Sequence, residues 1–166
     1  MIDLEREEPD IERLIEEYGD SLLRMCLLYL KDLSLAEDAV QDTFVKVYQR
    51  YSQFQGKSSE KTWIMRIAIN VCKNIQRSSW WRRIDYSFTL EQIPAKTHDR
   101  QDDALLSQIM KLSPKYKEVI LLYYYQDMKI REIAEALQVP ESTISVRLKR
   151  AREKLKFNLK GWQADE

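Results

Sequence analysis

Glycine, cysteine and histidine are scarce in this chain of 166 residues, which contains three glycines, two cysteines and the single histidine His98. With so few glycines the chain has no Gly-rich phosphate loop, and neither G-x-G-x-x-G nor a Walker-type string occurs. One histidine argues against a His-based catalytic triad and a zinc finger, and two distant cysteines make no disulfide framework. We therefore expect a protein that is not an enzyme and that needs no cofactor and no metal.

Long hydrophobic runs are also missing. The longest apolar run, over residues 119–125, is far shorter than the roughly 20 residues that cross a bilayer. The acidic N-terminus lacks the basic and then apolar order of a secretory signal. These features predict a cytoplasmic protein without direct membrane insertion. Cys26 and Cys72 fall on apolar positions of helical patterns, which indicates buried core thiols.

The net charge of zero conceals two basic segments in an otherwise acidic chain. Residues 1–60 carry 7 basic and 14 acidic side chains, whereas residues 61–85 carry 6 and 1. Residues 128–160 carry 9 basic and 4 acidic side chains. Because binding to nucleic acid depends on the local density of cations, these two segments are where a nucleic-acid surface is expected.

Hydrophobic periodicity predicts three amphipathic helices in the first half of the chain. Asp10 is placed to cap the first, whose apolar positions are Ile11, Leu14, Ile15, Tyr18, Leu22 and Cys26. The S-x-x-E pattern of Ser34 and Glu37 predicts the start of the second helix. Its inward stripe comprises Val40, Phe44, Val47 and Tyr51. A loop around Gly56 precedes a third helix, predicted over residues 60–77.

The third predicted helix has one apolar and one cationic face. Ile64, Ile67, Ala68, Val71 and Ile75 share the apolar side, and Arg66, Asn70, Lys73, Asn74 and Arg77 share the opposite side. Trp63 lies near the start of the helix, and Trp80 and Trp81 follow its end. Cations attract phosphates, amides read base edges and aromatic rings stack on unpaired bases. This face is therefore predicted to bind nucleic acid, although a solvated charged face is the simpler alternative.

The second half is predicted to hold a linker and a helix-turn-helix. From residue 84 the helical period fails, which divides the chain into domains at 1–80 and 104–166 with a linker at 81–103. A helix is predicted over 104–112, and Ser113 and Pro114 then start another. Two further helices flank the interruption at residues 138–140, and the second is strongly basic, as in a helix-turn-helix, although the turn lacks glycine.

The last predicted helix presents polar and basic residues on the side opposite its apolar stripe. Ile144, Leu148, Ala151 and Leu155 point inward. The opposite side holds Ser142, Val146, Lys149 and Glu153, with Thr143, Ser145 and Arg150 on its flanks, and these residues are positioned to reach a major groove. Four further cations are placed to contact phosphates: Arg147, Arg152, Lys154 and Lys156. A basic surface helix without a ligand is the alternative.

Three sequence strings resemble the extracytoplasmic-function class of bacterial RNA polymerase sigma factors. They are AEDAVQDTFVKVYQRYSQF at 36–54, KTWIMRIAIN at 61–70, and LSPKYKEVILLYYYQDMKIREIAEALQVPESTISVRLKRAREKLK at 112–156. The resemblance covers both predicted domains in the family's order. It implies an all-α protein of two small helical domains, an alternative sigma factor that binds core RNA polymerase, recognises promoter DNA and promotes strand opening.

The same resemblance implies partners and roles for individual residues. The clamp helices of the polymerase β′ subunit would contact Asp38, Gln41, Asp42 and Lys46. Phe54 and Asn70 match positions that hold a base flipped from the non-template strand of the promoter melting element, next to Trp63, Arg66, Lys73, Asn74 and Arg77. Ser142, Thr143, Ser145, Val146, Arg147, Lys149 and Arg150 would bind the upstream element. A cognate anti-sigma factor, often a membrane-bound protein, is a further implied partner.

Two other functions remain open from the residues alone. A free-standing helix-turn-helix repressor or activator would explain the second basic segment and leave the first unexplained. A helical adaptor without DNA function would explain the acidic N-terminal region but neither basic segment. Binding to core polymerase separates the sigma factor from both alternatives.

Overall fold

A computed structural model of the chain describes residues 8–78 and 100–158, which belong to two separate units. Every regular element in these ranges is helical, as predicted. The first unit contains α1 (Ile11–Leu30), α2 (Leu33–Arg50), a 3₁₀ turn (Tyr51–Gln53) and α3 (Glu60–Arg77). The second contains α4 (Arg100–Met110), α5 (Pro114–Ile120), α6 (Ile130–Leu137) and α7 (Glu141–Asn158). Most of the predicted linker lies outside the described residues, as do Trp80, Trp81 and His98.

Short polar side chains fix the starts of the first three helices. Asp10 accepts a hydrogen bond from the backbone N–H of Arg13 at 3.1 Å, so the predicted cap of α1 is confirmed. At the start of α3, Ser59 accepts a hydrogen bond from the backbone N–H of Thr62 at 3.1 Å. The predicted start of α2 at Ser34 is wrong. Lys31 ends α1 in a left-handed conformation, with φ of 56°, and the next residue, Asp32, caps α2 by accepting from Leu35 at 2.9 Å. Because this cap lies two residues earlier, Ser34 is an exposed residue of the first turn.

The core of the first unit forms where α1 packs against both α2 and α3. Leu14 and Leu22 are fully buried, and every residue from Met25 to Leu30 is buried. Ile15 was predicted to point inward but is 48% exposed. It shares the side of α1 that carries the buried Leu22 and Cys26, but it lies in the second turn of the helix, well before the continuously buried run that begins at Met25. None of the helices in the described ranges has the length and apolar character needed to span a bilayer.

The two cysteines meet in this core. Cys26 of α1 and Cys72 of α3 are buried free thiols, as predicted from their apolar surroundings. A hydrogen bond with Cys26 and burial raise the pKa of the Cys72 thiol well above its ordinary value. The Cys72 thiol therefore stays protonated, and the two buried cysteines pack as small apolar side chains.

The second unit contains the predicted helix-turn-helix, with two differences from the sequence reading. Helix α4 begins at Arg100, four residues before the predicted start at Ala104. Helix α5 starts at Pro114 as predicted, and a π-helical turn over Leu121–Tyr125 follows it. In that turn the N–H of Gln126 donates to the carbonyl of Leu121 at 3.2 Å.

The turn between α6 and α7 places a left-handed residue where glycine is usual. Gln138 has φ of 57° and ends α6, and its neighbour Val139 donates to the carbonyl of Ala134 at 3.1 Å. At the other end of α6, the N–H of Lys129 donates to the Glu132 carboxylate at 2.8 Å. The absence of glycine therefore does not prevent the helix-turn-helix geometry.

Candidate nucleic-acid interface

One face of α3 presents the residues that the sequence assigns to the melting element. Trp63, Arg66, Asn70, Lys73, Asn74 and Arg77 lie within about 100° around the helix axis. Each of these side chains is exposed or half-buried, whereas Ile64, Ala68 and Val71 on the opposite side are buried. The cationic face is therefore accessible and is not used in packing the core.

A cavity of about 330 Å³ is enclosed by residues of α2 and α3. Lys46 and Arg50 of α2 line it together with five residues of α3: Ile67, Asn70, Lys73, Asn74 and Arg77. Four of these seven side chains are cationic and none is acidic. Because the cations converge on a concave surface, they create a positive potential that attracts a phosphate backbone.

An aromatic cluster stands at the start of α3. The ring centroids of Phe54 and Trp63 are 5.1 Å apart, and Tyr51 lies 6.1 Å from Phe54 and 6.0 Å from Trp63. The N–H of Phe54 donates to the carbonyl of Tyr51 at 3.0 Å, which holds the backbone between the two rings. All three rings are half-buried, so they keep accessible surface on which an unpaired base could stack. Phe54 and Trp63 are thus brought together, but neither lines the cavity that contains Asn70.

Glu60, the first residue of α3, accepts four hydrogen bonds from three residues. Arg13 donates through both terminal nitrogens at 3.0 Å, Tyr18 Oη donates at 3.1 Å and Tyr51 Oη donates at 2.8 Å. The hydrogen bonds from Arg13, with those from Tyr51 and Tyr18, lower the pKa of the Glu60 carboxyl. Burial and the hydrogen bond to Glu60 raise the pKa of Tyr18 to about 12. The carboxylate therefore stays ionised and joins α1, the 3₁₀ turn and α3.

The outward side of α2 carries three of the four residues that the sequence assigns to polymerase. Asp38, Gln41 and Asp42 are exposed, and one turn further along Val45 and Tyr48 are 54% and 47% exposed. Acidic and amide groups thus border an exposed apolar pair, as at the polar rim of a protein interface. The fourth residue, Lys46, is half-buried and lines the cationic cavity.

Helix α7 shows the polar face that the sequence predicts. Ile144, Leu148, Ala151 and Leu155 are buried, whereas Ser142, Ser145, Val146, Lys149 and Arg150 are exposed, and Thr143 and Arg147 are half-buried. Arg152, expected to contact phosphate, instead donates from Nε to Tyr124 Oη at 2.7 Å and lies over the Tyr123 and Tyr124 rings. These tyrosines follow α5, so Arg152 joins α7 to that part of the unit.

A second, mainly cationic cavity of about 520 Å³ lies beside Arg150 in the same unit and has one acidic residue, Glu153, in its lining. Its lining includes Lys111, Tyr116 and Lys154, and the ammonium groups of Lys115 and Lys154 lie 5.1 and 4.8 Å from the centre of the Tyr116 ring. Burial raises the pKa of Tyr116, but the hydrogen bond with Arg150 and the nearby cations outweigh it, so the pKa is lowered. A lowered tyrosine pKa reports a positive local potential.

Comparison with known proteins relates both units to one family. The Sigma-70 region 2 model matches residues 14–82, and the Sigma-70, region 4 model matches residues 102–155. The RNA polymerase sigma factor YlaC of Bacillus subtilis is 31% identical over 163 residues, covering 90% of this chain and 91% of that protein. The chain belongs to the extracytoplasmic-function class of the sigma-70 family. A second relative of this sigma factor, the ECF RNA polymerase sigma factor SigW of the same organism, is 28% identical and is covered over 87% of its length.

Two solved structures share the fold of this sigma factor. The sigma factor RpoE from Bartonella quintana, in complex with the anti-sigma factor NepR, gives a TM-score of 0.78 at 23% identity, covering 93% of this chain and 99% of that one. CnrH, in complex with the cytosolic domain of CnrY, gives 0.69 at 23% identity, with coverage of 92% and 89%. The family and the fold together establish a function in promoter recognition and transcription initiation with RNA polymerase.

The sequence reading missed several residues around the sigma factor's candidate sites. Arg50 was not assigned, although it follows Lys46 by four residues and therefore shares its side of α2. Lys111 and Lys115 lie outside the basic segments counted from sequence, and only folding brings them beside Arg150. Glu60 and Arg13 are 47 residues apart, so no local pattern indicates their contact. Within the described residues, no group of three His, Cys, Asp or Glu side chains is placed to hold a metal ion.

Proposed function

We propose that this sigma factor uses three surfaces of its two units to open a promoter by binding alone. The α3 face and the aromatic cluster hold the separated melting element, α7 reads the upstream element, and the outward side of α2 docks on the clamp helices of the polymerase β′ subunit. The sigma factor catalyses no reaction of its own and needs no cofactor. Unstacking a flipped base costs about a few kcal/mol, and stacking and hydrogen bonds from the protein to that base contribute about the same amount. Contacts to unpaired bases can therefore stabilise the opened strands.

The cavity between α2 and α3 is the observation that carries this proposal. Its four cations and two amides, with no acid, are suited to a phosphate backbone and to base edges. Trp63 stands two turns before Asn70 on the same face, about 10 Å along the axis, so stacking and hydrogen-bonding groups follow one line. A strand lying along α3 would meet the aromatic cluster first and the cavity next.

Lys46 belongs to the DNA surface in this proposal. Sequence resemblance assigned it to polymerase docking with Asp38, Gln41 and Asp42. Those three side chains are exposed on the outward side of α2, whereas Lys46 turns toward α3 and shares a cavity with Asn70 and Arg50. A cation in that position adds to the potential that attracts phosphate, and it lies about 40° around α2 from Asp42, at the edge of the docking face.

Docking on polymerase is assigned to the exposed stripe of α2. Val45 and Tyr48 supply apolar area, and Asp38 and Asp42 supply charges that fix orientation at its edge. The β′ clamp helices are therefore expected to present a complementary apolar and basic surface.

The second unit is assigned to the duplex of the upstream element. Ser142, Val146 and Lys149 face outward from α7, where they would meet base edges. The cations around Tyr116 extend this surface beyond α7, and we place Arg150 where base and phosphate contacts meet.

An anti-sigma factor is proposed as a regulatory partner. RpoE was solved in complex with the anti-sigma factor NepR, CnrH was solved in complex with the cytosolic domain of CnrY, and this chain shares the fold of both. We propose that the protein works in the bacterial cytoplasm and is sequestered there, or at the membrane surface, by such a partner.

The test uses purified core polymerase and a promoter of this sigma factor. That promoter is first identified by sequencing the transcripts that appear when the sigma factor is overexpressed. Core binding is measured by size-exclusion chromatography, and opening by 2-aminopurine fluorescence at the melting element. Asn70→Ala and Phe54→Ala should reduce opening more than core binding, since neither residue lies on the outward side of α2. Arg131→Ala, which removes an exposed cation elsewhere, is the control. Equal loss of both activities would contradict the assignment, and failure of the unaltered chain to bind core would reject the proposal.

A further inference from the structure

We propose that Glu60 is a positioning residue for promoter opening, which acts through the Tyr51 hydroxyl to fix the ring of Phe54. The inference rests on the proposed function, because it takes Phe54 as a residue that holds the unpaired base. Resemblance to the family assigned no role to Glu60, Tyr51 or Arg13.

The Glu60 carboxylate is held rigidly in the structure. Its side chain is 19% exposed, and both of its oxygens are engaged by Arg13 in a two-pronged ion pair. Bidentate pairs of this kind fix the plane of the carboxylate as well as its position. Arg13 is itself anchored by a 2.9 Å contact to Glu17, one turn further along α1. The carboxylate is therefore a fixed acceptor held between α1 and α3.

The Tyr51 hydroxyl connects the Glu60 carboxylate to the aromatic cluster. Tyr51 Oη donates to Glu60 Oε2 at 2.8 Å, the shortest contact that the carboxylate makes. A hydrogen bond at the hydroxyl fixes the direction in which the Tyr51 side chain points, and its ring contacts both Phe54 and Trp63. Trp63 packs edge-on against Tyr51 at 76°, so a rotation of Tyr51 would displace its neighbours.

Phe54 depends on Tyr51 for much of the support of its backbone and ring. Phe54 follows the 3₁₀ turn, and a loop separates it from α3, so no helix holds its backbone. It keeps one backbone hydrogen bond, to Tyr51, and its ring contacts with Tyr51 and Trp63. Because the backbone hydrogen bond and one of the two ring contacts lead back to Tyr51, release of the Tyr51 hydroxyl would leave the Phe54 ring supported on one side only, by Trp63 of α3, and free to sample other orientations. Binding of a flipped base would then have to order that ring at an entropic cost.

Two hydroxyls on one carboxylate provide a matched experiment. Tyr51→Phe removes the hydrogen bond that leads to the aromatic cluster and keeps the ring. Tyr18→Phe removes an equivalent hydrogen bond, at 3.1 Å, from a tyrosine that has no described contact with the cluster. Opening is measured by 2-aminopurine at the flipped position, and core binding and upstream-element binding are measured on the same holoenzymes.

We expect Tyr51→Phe to lower the equilibrium for opening about tenfold, the ratio that 1.4 kcal/mol corresponds to, with core and upstream-element binding unchanged. Tyr18→Phe should leave opening within about twofold of the unaltered protein. Glu60→Ala, which leaves no acceptor for the Tyr51 hydroxyl, should reproduce the Tyr51→Phe defect, and the double variant should lose little more than either single one, because both act through one contact. Thermal unfolding of each variant reports whether folding is retained.

The outcomes separate this inference from the proposed function. If the unaltered protein opens the promoter and Tyr51→Phe opens it equally well, Glu60 has no positioning role, and the proposed function stands. If Tyr18→Phe causes the same loss as Tyr51→Phe, the carboxylate acts only through stability, and the inference is overturned. Additive losses in the double variant would also overturn it. If the unaltered protein fails to open any promoter with core polymerase, the proposed function itself is rejected.

Discussion

The position of Lys46 leads to a prediction about salt. Replacing Lys46 with alanine removes one of four cations that line the cavity between α2 and α3 and leaves the outward side of α2 intact. If this lysine neutralises one phosphate of the opened strand, binding of the Lys46→Ala variant releases the counterions of one phosphate fewer. The logarithm of affinity should then fall less steeply with the logarithm of salt concentration, by about 0.7 for single-stranded and 0.9 for duplex DNA.

The magnitude follows from that slope. Between about 50 and 200 mM salt, a slope change of 0.7 to 0.9 alters the ratio of wild-type to Lys46→Ala affinity about threefold. The defect of the variant should therefore be largest at low salt and shrink about threefold over that range. Fluorescence anisotropy of the holoenzyme on a forked promoter probe measures both affinities.

Arg131→Ala is the matched control, because Arg131 is a strongly exposed cation of α6 that lines neither cationic cavity. On a forked probe that lacks the upstream element, its salt slope should equal that of the unaltered protein. The reasoning is refuted if Lys46→Ala keeps the full slope and instead weakens core polymerase binding. That result would return Lys46 to the docking surface with Asp42.

Three further outcomes follow from single side chains. Gln138→Gly should stabilise the second unit by about 1 kcal/mol, because glycine adopts the observed φ of 57° without the steric cost of a Cβ, as thermal unfolding would show. The pKa of the Glu60 carboxyl lies below its ordinary value in the folded protein, so the contribution of Glu60 to stability is full at neutral pH and decreases as the pH falls below about 4.5. Urea titrations at several pH values should show that Glu60→Gln lacks this part of the acid destabilisation. Arg150→Ala should weaken binding to an upstream-element duplex, measured at physiological salt, and unchanged affinity would remove Arg150 from the contact surface.

Local signals in the sequence were enough to place most helices. Asp10, Ser59 and Pro114 each act within one turn of their own position, so their effect on the backbone can be read without tertiary information. The start of α2 was misplaced because two capping residues, Asp32 and Ser34, compete locally. The left-handed Lys31, which ends α1 immediately before Asp32, decides between them.

The residue types of the candidate site were predictable from the sequence, but which residues of α1, α2 and α3 come together was not. A cationic stripe on α3 follows from helical periodicity, and the accessible face of Asn70 and Arg77 agrees with it. Which side of α2 faces that stripe depends on how two helices pack, and the single-helix pattern of Lys46 carries no such information. The ion pair of Arg13 with Glu60 likewise exists only because α1 and α3 pack together.

Helix α2 therefore serves two surfaces at once, and this has a consequence for how its variants should be interpreted. Asp38 and Val45 point outward, and Lys46 and Arg50 turn toward the cavity shared with α3, all within one rigid element of 18 residues. Because adjacent residues such as Val45 and Lys46 differ by about 100° around the axis, polymerase docking and strand binding are separated by single positions and not by segments. Deletion or proline substitution in α2 would abolish both functions and distinguish neither, whereas Val45 and Lys46, substituted one at a time, can tell them apart. A rigid helix of this kind also fixes the distance between the docking face and the cavity, so DNA is presented at a constant position once polymerase is bound.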